Sequence, residues 1–219
     1  MNYGLIVAAG AGVRFGARKQ FARLKDRPVI YYSLRAFELC PVVKETVLVT
    51  NLDEIDRMET LIHRWRMKKV NWIVAGGEQR QDSVARGLRV LPEKGMVAIH
   101  DGVRPIVSPE RIEYGFLECR RNHAVIYALP ASETIKQVKG SEVLSTIPRE
   151  DLILVQTPQF FKLPLIREAY EHAAATGHWA TDDAQLVEHL GGKVTVIAGW
   201  PENIKITTRS DLVRAAKFL

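Results

Sequence analysis

The sequence predicts an α/β fold, with a mostly parallel sheet covered by helices on both faces. Three observations carry that expectation. Short β-rich runs alternate with amphipathic segments from the first residues onward, as βαβ units require. The chain has 219 residues, 47% hydrophobic and 26% charged, which suits one globular domain of this class. No internal repeat, low-complexity tract or Pro/Ser linker interrupts it.

The elements follow in order. Leu5–Ala9 is a buried strand leading into a Gly-rich turn. Pro28–Glu38 is a helix with proline in its first turn. Glu45–Thr50 is a strand, and Leu52–Arg66 a helix whose Leu52, Ile55, Leu61, Ile62 and Trp65 recur near helical spacing. Asn71–Ala75 is a strand ending at Gly76-Gly77, followed by a helix over Asp82–Leu91. Val97–His100 is a strand, Ser108-Pro109-Glu110 starts a helix, and Ala124–Leu129 is a strand. Residues 130–151 are polar and alternating around Lys-Gly-Ser and predict a β-hairpin. An isolated hairpin is marginal in water, so this one is expected to pack on something such as a second subunit. A strand at Leu152–Gln156, a helix from Leu163, a helix at Asp182–Leu190 and a strand at Lys193–Ile197 come next. A short strand at Asn203–Thr207 and a final helix to Leu219 close the chain.

Lys and Arg number 31 against 25 Asp and Glu, a net charge of +6. The densest basic run, Arg64–Lys69, falls at an expected helix end, where the dipole favours cations, so it does not read as a nucleic-acid stripe. No apolar run approaches the ~18 residues of a membrane span, and the N-terminus has no basic residue ahead of its apolar run, against a signal peptide. Cys40 and Cys119 stand far apart and predict core thiols in a reducing, cytoplasmic compartment.

In a parallel sheet, ligands bind beyond the carboxyl ends of the strands. That directs attention to the loops after Ala9, Ala75, His100 and Leu129. In the first, AAGAGVRFGARKQF, Gly10 and Gly12 let the backbone approach a ligand, and Arg14 and Lys19 follow. Such a turn suits a polyphosphate, or is simply a tight turn. It is neither the dinucleotide fingerprint, because Phe15 stands where the third glycine belongs, nor a P-loop. In GGEQRQDSV, Gly76 and Gly77 permit contact with a flat group, while Asp82 or Ser83 could cap the helix. In HDGVRP, Asp101 could hold a divalent cation or form a structural ion pair with Arg104, and His100 reads as packed. Thr208 and Asp211 could form the capping box of the last helix. Lys205 alternates with Ile204 and Ile206 and faces away from the apolar side.

In fixed order, AAGAGVR, GGEQRQDSV, HDGVRP, ETIK, PRE, QTPQFF, TDDA and NIKITT resemble the 2-C-methyl-D-erythritol 4-phosphate cytidylyltransferases over residues 5–215. The resemblance implies a three-layer, Rossmann-like nucleotidyltransferase fold in a single domain spanning 1–219. It also implies CTP, methylerythritol phosphate and Mg2+ as ligands, and a homodimer joined by a protruding arm at 130–151, with no role for nucleic acid or membrane. By position, Ala8, Ala9, Gly10 and Gly12 would line the nucleotide loop, with Arg14 and Lys19 on the triphosphate. Gly76, Gly77, Glu78 and Ser83 would surround cytosine. Asp101 would serve the metal and the sugar phosphate beside Arg104. Thr134 and Arg149 on the arm, with Thr181 and Lys205, would complete the substrate side. The chain departs from the family with Arg18 where proline usually precedes the Lys-Gln pair, with Glu133 for Asp, and with Val103 for Ala; Arg18 is therefore a second candidate for the triphosphate.

The implied reaction needs no general base, because a phosphate monoester is already an anion near neutral pH. Positioned cations suffice. A cytidylyltransferase for a pentitol phosphate such as ribitol 5-phosphate shares most of these motifs, and a non-catalytic nucleotide- or RNA-binding module is the competitor of a different class.

Overall fold

The computed structural model of the chain describes residues 1–10, 15 and 18–219. Gly12 and Arg14 lie outside the described residues. The first strand, β1, is Asn2–Val7. Two short strands, β2 (Arg23–Leu24) and β3 (Arg27–Pro28), lead to helix α1 (Val29–Leu39), then to β4 (Val43–Thr50), α2 (Ile55–Arg64), β5 (Val70–Ala75) and α3 (Arg80–Arg89). Strand β6 (Met96–Asp101), helix α4 (Pro109–Asn122) and strand β7 (Ala124–Pro130) follow. A hairpin of β8 (Ile135–Lys139) and β9 (Glu142–Ile147) precedes β10 (Ile153–Lys162). Helices α5 (Leu163–Thr176) and α6 (Asp183–His189), strand β11 (Thr195–Ala198) and helix α7 (Arg209–Ala215) complete the chain.

The main sheet has seven strands in the order β11-β7-β10-β6-β1-β4-β5. Its pairs are parallel except those of β10, which runs antiparallel between β6 and β7. Alternate side chains of each strand enter two separate cores. Ile6, Leu48, Ala98, Tyr127 and Phe160 join one. Leu5, Val47, Val97, Ile126 and Phe161 join the other. Burial on both faces explains why these strands are so uniformly apolar. The expected mostly parallel, helix-covered α/β sheet is observed, with β10 as the antiparallel exception that the sequence did not predict.

The helix signals account for most boundaries. Ser108 accepts the Arg111 amide at the start of α4, with Pro109 as its first residue. Thr208 and Asp211 form the expected capping box on α7. Asp182 caps α6. Beyond α6, Gly191 takes φ 84°, a conformation that favours glycine.

Four expectations are corrected. Strand β10 does not stop at Gln156 but continues to Lys162. Pro158 is tolerated because it falls in the register break between Gln156 and Gln159, where the ladder asks no amide of it. The helix expected over Leu52–Arg66 is a 3-10 turn at Leu52–Glu54 followed by α2, and Arg66 adopts φ 55° just beyond it. The helix expected from Asp82 begins at Arg80, because Gln79 caps it and Asp82 closes the capping box. Asn203–Thr207 is not a strand: it is a strap held to the body by an Ile206 amide bond to the Val103 carbonyl, 2.9 Å. Ile206 is fully buried with Leu24, Val29 and Val103.

The expected hairpin forms its own two-stranded sheet, with Gly140 at φ 60° in its turn. Val138, Val143 and Leu144 on it are exposed, as are Ile153 and Leu154 of β10. Among the described residues, no helix is long and apolar enough to cross a membrane.

Candidate active site

Two adjoining clefts open beyond the carboxyl ends of β1, β5 and β6, with volumes of about 360 and 540 Å3. They share Arg80, Asp101 and Lys205.

The first cleft is walled by Ala8, Ala9 and Gly10 after β1, and by Gly77, Glu78 and Ser83 after β5. The β5 loop is shaped by its glycines. A Cβ on Gly76 would stand 2.3 Å from the Ala9 Cβ, and one on Gly77 would stand 2.2 Å from the Asp82 Cβ. The β5 loop can therefore close on the β1 loop only with glycine at 76, and fold back on the first turn of α3 only with glycine at 77. Gly76 itself lies behind the wall rather than on it. The Ser83 hydroxyl accepts the Gly77 amide at 3.1 Å and donates to the Gln79 carbonyl at 3.0 Å, so it pins the loop. On the other side, Asn51 donates to the Ala9 carbonyl at 2.8 Å, and Gln20 donates to the Asn51 side chain at 3.3 Å. That relay fixes the segment carrying Lys19, which lines the cleft. Arg18 points elsewhere, into ion pairs with Asp53 and Glu54.

Asp101 ends β6 and is the centre of the junction. Its Oδ1 accepts the Arg80 Nε at 3.0 Å. Its Oδ2 lies 2.7 Å from the Lys205 Nζ and 3.9 Å from the Arg104 Nε. Burial alone would raise the Asp101 pKa, but Arg80, Lys205 and Arg104 outweigh it and hold the carboxyl well below the usual range. The carboxylate is therefore ionised. The Asp101 amide donates to the Thr157 hydroxyl at 3.0 Å. His100 is fully buried, hydrogen-bonded to the Arg104 carbonyl and to Thr157, and burial pushes its pKa down to about 4. It is a packed histidine, as the sequence reading expected.

Lys205 reaches the junction because its strap is anchored on both sides. Beyond it, Ile206 is buried. Before it, Asn203 donates to the Gln156 side chain at 3.2 Å and to the Thr157 carbonyl at 2.9 Å, and its own carbonyl accepts Arg104 at 2.6 Å.

The second cleft adds Arg104, Thr181, Asp182 and Gln156. The Thr181 amide and hydroxyl both donate to the Gln185 side chain. Arg80 crosses from one cleft to the other. Its Nη1 and Nη2 grip Asp183 at 3.0 and 2.8 Å, and the Tyr170 hydroxyl donates to the same carboxylate at 2.6 Å.

The structure thus gathers Ala8, Ala9, Gly10, Lys19, Gly77, Glu78, Ser83, Asp101, Arg104, Thr181 and Lys205 around the two clefts. Thr134 and Arg149 line neither; they lie beside the hairpin, where Arg149 bonds the Ser132 carbonyl. The loop after β7 contributes to neither wall. Sequence reasoning missed Arg80, Asp183, Asn51 and Asn203. Arg80 and Asp183 stand inside the quoted GGEQRQDSV and TDDA segments, but their pairing spans about a hundred residues and has no local signal.

Among the described residues, no group of three or more His, Cys, Asp or Glu side chains could cage a metal. Asp101 presents one ionised carboxylate to both clefts. Each of its oxygens already faces a cation, Arg80 or Lys205, so it can hold Mg2+ only through a remaining lone pair, with phosphate oxygens and water as the ion's other ligands.

The family model for 2-C-methyl-D-erythritol 4-phosphate cytidylyltransferase matches residues 3–219. A relative of that name from Halalkalibacterium halodurans is 42% identical over 222 residues, covering 100% of this chain and 97% of its own. One from Geotalea uraniireducens is 42% identical over 221 residues, covering 98% and 95%. The crystal structure of 4-diphosphocytidyl-2C-methyl-D-erythritol synthase from Anaerococcus prevotii superposes with a TM-score of 0.86 at 32% identity, covering 100% of this chain and 97% of that one. The Thermus thermophilus 2-C-methyl-D-erythritol 4-phosphate cytidylyltransferase gives 0.81 at 30% identity, covering 97% and 96%. The chain belongs to the 2-C-methyl-D-erythritol 4-phosphate cytidylyltransferase family.

Proposed function

We propose that this chain transfers CMP from CTP to 2-C-methyl-D-erythritol 4-phosphate, giving 4-diphosphocytidyl-2-C-methyl-D-erythritol and pyrophosphate. The observation that carries the reading is the pair of clefts sharing Arg80, Asp101 and Lys205. Two polyanions bound side by side would meet at that junction.

In this reading the first cleft takes CTP. Gly76, Gly77, Glu78 and Ser83 shape the cytosine end, and Lys19, which lines this cleft, serves the triphosphate, a role that the family resemblance also gives to Arg14. The second cleft takes the sugar phosphate beside Arg104 and Thr181. A phosphate oxygen of the sugar phosphate attacks the α-phosphorus, the bond to the bridging oxygen breaks, and pyrophosphate leaves with that electron pair. The nucleophile is already ionised, since a monoester's second pKa is about 6. No proton need be removed by the protein. The chain's task is to hold the two reactants in line and to place cations where charge gathers. Lys205 sits at the junction and suits that role. Asp101 would hold Mg2+ together with the triphosphate oxygens, and the ion would supply charge neutralisation on the transferring and leaving groups.

Thr134 and Arg149 stand away from the clefts of their own chain, which supports a homodimer in which each hairpin reaches the partner's second cleft. The exposed Val138, Val143 and Leu144 give such a contact its apolar surface. The two cysteines are buried and unpaired, in keeping with a cytoplasmic enzyme. The test is pyrophosphate release from CTP and Mg2+, with methylerythritol phosphate and ribitol 5-phosphate in parallel. Release with the first and little with the second is expected. Release only with ribitol 5-phosphate, or none with either, overturns the reading.

A further inference from the structure

Transfer of CMP gives no role to Tyr170 or Asp183, or to the Arg80 guanidinium that ties them to Asp101. Arg80 is the first residue of α3, directly after its Gln79 cap. Its guanidinium is divided between two carboxylates from distant parts of the fold. Nε donates to Asp101 Oδ1 at 3.0 Å, while Nη1 and Nη2 hold Asp183 at 3.0 and 2.8 Å. Asp183 is the first residue of α6 and fully buried. From α5, the Tyr170 hydroxyl donates to Asp183 Oδ1 at 2.6 Å. A continuous path of hydrogen bonds and ion pairs thus runs from Tyr170 through Asp183, Arg80 and Asp101 to Lys205.

The geometry of that path is directional. A fork of two donors on Asp183 fixes the guanidinium plane. The fixed plane aims Nε at one oxygen of Asp101, which leaves the other oxygen facing the Lys205 Nζ at 2.7 Å. Lysine in place of Arg80 could not do this, because one ammonium cannot span both carboxylates with planar geometry. Burial works against the charge on Arg80, yet Asp183 and Asp101 outweigh it and hold the guanidinium charged. Tyr170 lines neither of the two clefts. Its hydroxyl reaches the site through Asp183, and phenylalanine in its place keeps the ring packing while removing that bond.

We propose that Arg80 is a positioning residue, anchored on Asp183 and Tyr170, that orients the Asp101 carboxylate so that its second oxygen holds the Lys205 ammonium at the junction of the clefts. The role rests on the cytidylyl-transfer reading. A purely structural clamp between α3 and α6 would look similar but would register in stability alone.

The experiment compares Arg80→Lys, Tyr170→Phe and the double variant, measuring kcat, both KM values and urea unfolding. Arg80→Lys should lower kcat about a hundredfold, the order expected when a reacting group is displaced by about 1 Å. Its KM for CTP should stay within about threefold, because Arg80 lines the first cleft only at the junction and the walls from Ala8 to Gly10 and at Gly77, Glu78 and Ser83 are unchanged. Tyr170→Phe should lower kcat about three- to tenfold through loss of one hydrogen bond to a charged group. The double variant should be no slower than Arg80→Lys, because both act through one path. Variants that are less stable but retain wild-type kcat overturn the proposal. If Arg80→Lys does not fold, Tyr170→Phe decides: a kcat within about twofold of wild type counts against the path. A wild-type chain that releases no pyrophosphate from CTP overturns the parent reading, and the positioning role with it.

Discussion

Replacing Lys205 by Met removes one charge and keeps most of the side-chain volume. The structure separates its two consequences. The Lys205 side chain is 39% exposed and pairs with Asp101 at 2.7 Å. An ion pair that open to water contributes little to stability, below about 1 kcal/mol. Asp101 keeps Arg80, so no buried charge is stranded. The expected fall in Tm is therefore no more than about 2–4 °C. Catalysis should respond very differently. A unit charge about 4 Å from the ammonium at an effective dielectric of about 20 is worth about 4 kcal/mol. Loss of one preorganised donor at a developing oxyanion costs about 2.7–4 kcal/mol. Both routes give a kcat lower by about two to three orders of magnitude. Pyrophosphate release at saturating CTP and sugar phosphate measures kcat, and a thermal melt measures stability. A raised KM with kcat unchanged would mean that Lys205 binds ground and transition states alike. That result would refute the placement of its charge at the reacting phosphorus.

Three further perturbations test other parts of the site. Lys19→Ala should lower kcat and weaken CTP, whereas Arg18→Ala should change either by less than about threefold, because Arg18 is committed to Asp53 and Glu54; equal effects would return Arg18 to the triphosphate. Arg149→Ala should raise the KM for the sugar phosphate and leave that for CTP in place, and matched increases in both would count against a hairpin that serves the second cleft. Asp211→Asn probes the last helix. Burial would raise the Asp211 pKa, but hydrogen bonds from Thr207 and Thr208 overcome it and bring the carboxyl down from 3.8 to about 2. A depressed acid stabilises the fold above its unfolded pKa, and that stability is lost as pH falls through the folded one. The shift is worth about 2 kcal/mol at pH 7 and roughly half of that at pH 3, so urea unfolding of the wild type and Asp211→Asn should converge as the solution is acidified. A gap that is constant from pH 7 to pH 3 would show that the ionised form is not what stabilises the cap.

What could be read from the sequence was local. Ser108-Pro109 and Thr208/Asp211 mark helix starts through bonds made within three or four residues, and both stand as expected. Gly76 and Gly77 announce a close approach, and the structure supplies its partners, Ala9 and Asp82. The antiparallel course of β10 was not legible. Pro158 argues against a central strand, and only the register break opposite β7 makes room for it. Nor could the strap at 203–207 be told from a strand: its alternating Ile204 and Ile206 look like one edge of a sheet, yet only Ile206 is buried and it enters a small separate core. Arg80 was invisible for a different reason. A residue that joins Asp101 to Asp183 is defined by two contacts across the fold, and neither has a sequence spacing to recognise.

The same cluster corrects the simplest account of the positive charge. A net charge of +6 suggests a basic field that attracts polyanions. At the junction, however, Arg80, Arg104 and Lys205 converge on the single carboxylate of Asp101. If bulk positive charge governed the site, neutralising this carboxylate would help, since Asp101→Asn makes the cleft more positive and CTP more welcome. If the arrangement of the cations governs it, the same change does harm. Without the carboxylate, three cations lose their common partner, Arg80 is left to Asp183 alone, and Lys205 is free to leave the junction. Cations stabilise a transition state in proportion to how little they must reorganise when charge develops. Asp101→Asn should therefore lower kcat by at least about a hundredfold, while the KM for CTP holds or falls. A faster enzyme with tighter CTP would mean that the site works by bulk positive charge. A slower one whose dependence on Mg2+ concentration is unchanged would mean that the carboxylate at its centre is what makes the surrounding cations useful, whereas a loss restored by raised Mg2+ would place its role on the ion instead.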